Sequence, residues 1–315
     1  MGATYGVVVR SASPMRFIYQ YPDTHGPDGS MLEAGDLGDM AAAAEAAGFD
    51  GFALTEHPAP SARWLAAGGH QTVDPFVALG YAAARTDRIT LLTYLTILPY
   101  RNPLLLAKSA ATLALISNGR FVLGVGAGYL KGEFRALGVD FDTRNRRFDE
   151  ALDVMAQHWS GEPFDYEGSD FSARGIQARP MPPEPVPIWI GGNSALTRRR
   201  VAAGAQGWMP MLGSDELLAT TRTPGVGGLE GLARLIGEVK AAAGDRGATL
   251  NFVLAHHDKA LHRAPTEDID RHLAVFAAYA DAGITHTVLL APKREPEAGL
   301  EWIAAVGEEY CAMSS

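Results

Sequence analysis

The stretch Pro185–Ala205, PVPIWIGGNSALTRRRVAAGA, decides how the rest of the chain is read. Two prolines lead into Ile188-Trp189-Ile190, a short apolar run that reads as a buried strand. Gly191-Gly192 breaks it, and Asn193-Ser194 are N-cap residues for a helix from Ala195 onward. A two-glycine turn lets backbone approach a ligand closely, and a new helix N-terminus offers unpaired N–H groups with partial positive charge. Such a corner is either a seat for an anion, most often phosphate, or a tight turn whose glycines serve geometry alone. Its position among the neighbouring elements distinguishes the two.

Working outward, β-rich apolar runs occur at Tyr5–Val9, Phe52–Thr55, Ile89–Leu98 and Arg120–Val125 before the corner, and at Gly207–Met211, Leu250–Ala255 and Thr285–Leu290 after it. Helical segments separate them: Leu37–Ala47, one capped by Asp74-Pro75, one capped by Asn102-Pro103, one through Phe148, Leu152 and Met155, then Leu229–Ala243, Asp268–Ala282 and Leu300–Tyr310. Eight strands alternating with helices predict a parallel (β/α)8 TIM barrel, a single domain over residues 1–315. Helix-to-strand turns such as Gly48–Gly51 and Thr86–Arg88 are terse. Connections after the first, second, fourth and seventh strands are long, as expected on the face of a barrel that carries its active site. Ser11–Ser30, with Pro14, Pro22 and Pro27, reads as one such loop, and Pro58–Val73 as another. Residues 160–187 read as an insertion before the fifth strand, with a small hairpin near Phe164–Tyr166 and Asp170-Phe171.

Composition narrows the function classes. The chain has 315 residues, 47% hydrophobic and 20% charged, enough for a large core. A net charge of -9 argues against sequence-independent binding to nucleic acid or an anionic membrane. One cysteine, Cys311, and no signal-peptide pattern at the start predict a soluble protein of the reducing cytoplasm. There is no H-x-H after the first strand. His256 and His257 are adjacent, so on a strand they point to opposite faces; no metal site is expected. The G-x-G-x-G of Gly124–Gly128 lacks the spacing of a dinucleotide fingerprint.

What remains collects at one rim. His57 ends the second strand, where barrels carry catalytic side chains, although a lone histidine also serves as an ordinary structural residue. Gly126 and Gly128 either let a flat ring press against backbone or simply shape a turn.

DGFALTEH, the long run from Ile89 to Phe141, TRNRRFDEALDVM and PIWIGGNSALTRRRVAAGAQGW together resemble the luciferase-like flavin and deazaflavin oxidoreductases, most closely the branch that uses coenzyme F420. The resemblance implies a TIM barrel with an insertion, and a non-prolyl cis peptide at Tyr94–Leu95, preceded by Thr93, behind the cofactor ring. It implies that Gly191, Gly192, Asn193 and Ser194 hold the cofactor phosphate, and that Glu56-His57 lie beside the ring. Tyr129 stands where sugar-phosphate and alcohol dehydrogenases of the group carry a glutamate, with Glu133 displaced from it. Their tryptophan four residues past the histidine is Ser61 here, with Trp64 close by. Arg198, Arg199 and Arg200, with Arg144, Arg146 and Arg147, offer a cationic strip for an acidic cofactor tail, or else a solvated face.

The expectation is therefore hydride transfer between F420 and a small organic substrate. His57 would handle a proton, Tyr129 would donate a hydrogen bond, and the resemblance adds a homodimer. FMN is the alternative cofactor, in a monooxygenase supplied by a flavin reductase; a non-catalytic cofactor-binding relative is a third reading.

Overall fold

Short β-rich runs bounded by glycine, proline or a helix cap become strands of one closed sheet in the computed structural model, which describes residues 15–182, 184–291 and 295–312. In chain order the strands are β1 (Arg16–Gln20), β2 (Thr24–His25), β3 (Gly51–Leu54), β4 (His70–Gln71), β5 (Thr90–Thr93), β6 (Thr96–Ile97), β7 (Phe121–Gly126), β8 (Phe164–Glu167), β9 (Ser172–Ile176), β10 (Ile188–Gly191), β11 (Gly207–Met209), β12 (Asn251–His256) and β13 (His286–Leu290). The helices are α1 (Leu37–Ala46), α2 (Ala62–Ala66), α3 (Pro75–Ala83), α4 (Pro103–Ile116), α5 (Lys131–Ala136), α6 (Arg144–Trp159), α7 (Ala195–Ala203), α8 (Asp215–Thr220), α9 (Gly228–Ala242), α10 (Lys259–Arg263), α11 (Ile269–Asp281) and α12 (Pro296–Val306).

Strands β1, β3, β5, β7, β10, β11, β12 and β13 run parallel as successive neighbours, and β13 pairs back to β1 to close the TIM barrel. Alternation along each strand sorts side chains to two layers. Ile18, Ala53, Leu92, Val122, Trp189, Met209, Val253 and Val288, one from each barrel strand, pack together as the interior plug. Their neighbours, such as Phe17, Tyr19, Phe52, Leu91 and Phe252, belong to the larger layer between strands and helices. The plug fills the middle of the barrel and separates a cavity at the C-terminal ends of the strands from one of ≈ 370 Å³ at their N-terminal ends, beside Arg16, Asp50 and His286.

The first strand differs from the reading above. Tyr5–Val9 lies outside the described residues, and the strand that pairs with β13 and β3 is Arg16–Gln20, inside the stretch read as a loop. Prolines at 14 and 22 bracket the strand instead of excluding it. Phe17, Tyr19 and Tyr21 are buried on the helix side while Ile18 faces the plug, which is the period-two pattern of a strand. Two other loop stretches also meet: β2 pairs antiparallel with β4, setting His25 opposite His70. The segment before β10 carries the β8–β9 hairpin, whose turn is held by Glu150 of α6, its carboxylate accepting from the Ser169 and Asp170 backbone N–H groups. Among the described residues no helix is long and apolar enough to cross a membrane.

Candidate active site

The double-glycine corner follows β10 as a braced unit. Gly192 adopts φ +105, a left-handed value that favours glycine. Its N–H donates to Met209 O (3.1 Å), and its carbonyl accepts from Trp208 Nε1 (2.8 Å). Ser194 caps α7, its Oγ accepting from Thr197 N at 3.0 Å. Asn193 does not cap. Its buried side chain donates to Met211 O and Pro224 O and accepts from Met211 N, all at 2.8 Å, tying the corner to the loop after β11. Three guanidinium groups share this end of the cavity: Arg144, Arg200 and Arg222. Arg200 is 8% exposed, stacks over Phe148 and pairs through Nε with Asp149 at 2.6 Å. Arg144 and Arg222 flank Phe141, at 3.8 and 5.5 Å from its ring centroid. The expected cationic strip is thus redistributed. Arg146 and Arg147 turn to Asp170, Arg198 donates to Asn193 O, and Arg199 is exposed. Arg222, from a separate loop, completes the set.

Between β5 and β6 the Tyr94–Leu95 peptide is cis. Leu95 then lies across the strand ends. A Cβ on Gly126 would come within 2.5 Å of Leu95 Cδ1, and one on Gly191 within 2.2 Å of Leu95 Cδ2. The missing side chains of these two glycines make the space for Leu95. Gly128, at φ +77, likewise leaves room for Ile97 and Phe134. Tyr94 and Leu95 thereby form a ridge along the cavity wall. Thr93 sits below it, fully buried, its Oγ1 donating to Gly124 O at 2.8 Å, and so it braces β5 against β7.

The far end gathers imidazoles and acids. His57 follows β3, and its Nδ1 lies 3.2 Å from Oε2 of Glu133, which is 1% exposed. Tyr100 Oη donates to the same oxygen at 3.0 Å, and the N–H of Ala59 donates to Oε1 at 3.3 Å. A buried carboxylate with three donors around it fixes the His57 ring. Trp64 packs on that ring with centroids 4.6 Å apart, and Tyr129 is edge-on at 6.1 Å. Burial, with the charge of Glu133 second, pushes the Tyr129 hydroxyl up to about 12, so it remains a donor at neutral pH. Glu56 borders the same cavity, but its carboxylate is already engaged. Its carboxylate accepts from Ile97 N (2.7 Å) and from Arg101, and burial raises its pKa despite that partner.

These parts surround one cavity of ≈ 420 Å³, within the usual range for a small-molecule site. His57, Tyr129, Tyr94, Leu95, Gly126, Gly128, Gly191, Gly192, Asn193 and Ser194 all line it; Thr93 does not reach it. Asp23 and His70, which no sequence signal marked, line it as well. Thr55 Oγ1 and Gln20 Nε2 donate to the Asp23 carboxylate at 2.8 and 3.0 Å. Adjacent His256 and His257 diverge as alternation requires: His257 lines the cavity, while His256 Nδ1 meets Tyr279 Oη at 3.2 Å.

Comparison with known proteins follows the same lines. Residues 15–224 match the family model described as luciferase-like monooxygenase. An F420-dependent glucose-6-phosphate dehydrogenase of Microbacterium testaceum is 32% identical over 66% of this chain and 60% of its own length, so the match spans less than two thirds of that relative. Among solved structures, an F420-dependent secondary alcohol dehydrogenase in complex with an F420-acetone adduct superposes with TM-score 0.71 at 18% identity, covering 94% of this chain and 98% of that one. The oxygenating constituent of 3,6-diketocamphane monooxygenase from Pseudomonas putida, in complex with FMN, does so with TM-score 0.70 at 17% identity, covering 95% and 98%. A family model covering two thirds of the residues, on a barrel of the same architecture, makes the conclusion direct: the chain belongs to the luciferase-like monooxygenase family.

Proposed function

We propose that this protein is an oxidoreductase that moves hydride between bound coenzyme F420 and a small organic substrate. The observation that carries the reading is the polarity of the cavity at the C-terminal ends of the strands: guanidinium groups and a helix N-terminus at one end, a carboxylate-held histidine at the other, and the Tyr94–Leu95 ridge between. The residues fit such a cofactor. Gly192, the capped start of α7 and Arg144, Arg200 and Arg222 suit a phosphorylated, acidic tail. The ridge of Tyr94 and Leu95 supplies a wall for a flat ring. When bound, the deazaflavin supplies a ring carbon that accepts or gives a hydride.

The chain's own groups do the rest. With Nδ1 engaged by Glu133, His57 keeps Nε2 to hold or move a proton at the substrate. Tyr129 donates a hydrogen bond from the facing wall. Trp64, folded over Gly69 and the His57 ring, keeps water from that end. The deciding experiment is equilibrium binding of F420 and of FMN to the purified apo protein by fluorescence titration. Tighter binding of F420, and turnover without oxygen uptake, supports the proposal.

The FMN-bound structural neighbour favours one second reading, a monooxygenase fed reduced flavin by a reductase partner; preferential FMN binding with oxygen consumption would select it. Tight binding with no turnover over a broad substrate panel, and no effect of His57→Ala, would instead mark a non-catalytic relative. Neighbouring helices α3 and α4 expose Val77 (77%), Leu105 (71%) and Ile116 (60%), which supports a homodimer through that face; light scattering on Leu105→Asp tests it. A cytoplasmic setting accords with the buried free thiol of Cys311.

A further inference from the structure

The function proposed above uses His57, yet a second pair of polar groups opens on the same end of the cavity. Asp23 follows β1, and His70 begins β4; the β2–β4 pairing brings these two segments together although 47 positions separate the residues, 70 less 23. Asp23 Oδ2 and His70 Nε2 stand 3.8 Å apart. That is too long for a direct hydrogen bond and short enough for one intervening polar atom to reach both. His70 Nε2 is buried and has no hydrogen-bond partner. An unpaired buried nitrogen costs about 1–3 kcal/mol, so a ligand group that meets it gains by doing so. The Asp23 carboxylate is held in place by Thr55 on Oδ1 and Gln20 on Oδ2, each oxygen keeping a lone pair for a further donor.

We propose that Asp23 and His70 form a seat for one hydroxyl or amine group of the substrate, which donates a hydrogen bond to the Asp23 carboxylate and meets His70 Nε2. This rests on the cavity being the substrate chamber. Charge supports the assignment of roles. Burial first, relieved in part by Thr55, His25, His57 and Gln20, pushes the Asp23 carboxyl up to about 6, so it changes protonation close to neutral pH. Burial, with His57 and His25 adding to it, pushes His70 down to about 3, so His70 stays a neutral ring that orients and does not carry charge. Among the described residues, His25, His57 and His70 are the titratable groups facing Asp23.

The test uses the full-length apo protein, labelled with ¹³C at aspartate carboxyls and ¹⁵N at histidines, with 2-propanol and isopropylamine as probes. The expected result is a saturable, joint shift of the Asp23 carboxyl and His70 Nε2 signals. Asp23→Asn should weaken probe binding about tenfold or more and leave cofactor binding as in the wild type. Probes that leave both signals unmoved, or bind Asp23→Asn as well as wild type, overturn the proposal. Should Asp23→Asn not fold, His70→Gln serves as the second variant, with the same two outcomes. Failure of the wild type to bind F420 or FMN would count against the cofactor reading alone, because the probe result is read without cofactor.

Discussion

The two ends of the cavity solve opposite electrostatic problems. At the corner after β10, three guanidinium groups and the start of α7 hold positive charge in place, with Asp149 as the acidic partner of the buried Arg200. At the end beneath the β2–β4 ribbon, imidazoles and tyrosine hydroxyls stand against two carboxyl groups, Glu133 and Asp23. Permanent charge suits a group that must be gripped and kept. Titratable groups suit an end where protons move. Under the proposed function the contrast separates binding from chemistry, so substitutions at the two ends should disturb different quantities.

The largest effect is expected at the titratable end. Removing a positioned acid–base group typically costs 10²–10⁴ in rate. His57→Ala should therefore lower kcat/KM by about that factor while the cofactor Kd stays within about threefold of wild type. Glu133→Gln should give a smaller loss, about tenfold, with a displaced pH profile, because it leaves the imidazole in place and removes only what orients it. Steady-state kinetics beside a fluorescence titration checks both. A comparable loss of cofactor affinity in His57→Ala would erase the division between the ends.

Next comes the cationic corner, with the effect expected on affinity and not on the chemical step. Arg222→Ala, and more so Arg200→Ala, should weaken cofactor binding about 10–100-fold, since charge-assisted contacts to phosphate contribute about 1.5–3 kcal/mol each. Wild-type affinity should also fall as salt is raised, while the Arg222→Ala variant responds less. Unchanged affinity in both variants would mean that the phosphate sits elsewhere and that the corner is only a well-braced turn.

The same division explains what could be read from residues alone. The corner is local: strand, two glycines, cap and helix follow one another from Ile188 to Ala203, so propensity and capping chemistry describe it directly. The barrel was legible for the same reason, since seven of its strands are apolar runs with clear stops. The titratable end is assembled from Asp23, His57, Trp64, His70, Tyr100 and Glu133, on separate segments that meet only through tertiary contacts. No local period signals the β2–β4 ribbon, whose strands are two residues each. The β1 error compounded this, because reading Ser11–Ser30 as one loop removed any reason to place Asp23 at a strand end. Gly126 and Gly191 read as places where a ring or another ligand group could approach the backbone, or as turns; the space their missing side chains leave is taken by Leu95, a contact that sequence spacing does not show.

The smallest expected effect sharpens the comparison through stability. The Asp23 carboxyl titrates at about 6 in the folded chain against an ordinary value of 3.8, because burial disfavours its charge. Below the lower value both folded and unfolded chains are protonated, and this group adds no pH dependence. Between the two values the folded state binds the extra proton, so stability falls as pH rises through that window. Above about pH 6 the cost is fully present, on the order of 2–3 kcal/mol from the size of the shift. Asparagine carries no charge to bury, but it replaces one acceptor by a donor and loses about 1 kcal/mol of hydrogen bonding from Thr55 or Gln20. Asp23→Asn should therefore melt a few degrees below wild type near pH 4 and a few degrees above it near pH 8, the two curves crossing between. Parallel melting curves across that range would show that Asp23 keeps an ordinary carboxylate pKa, and that the acidic end is as permanently charged as the corner opposite.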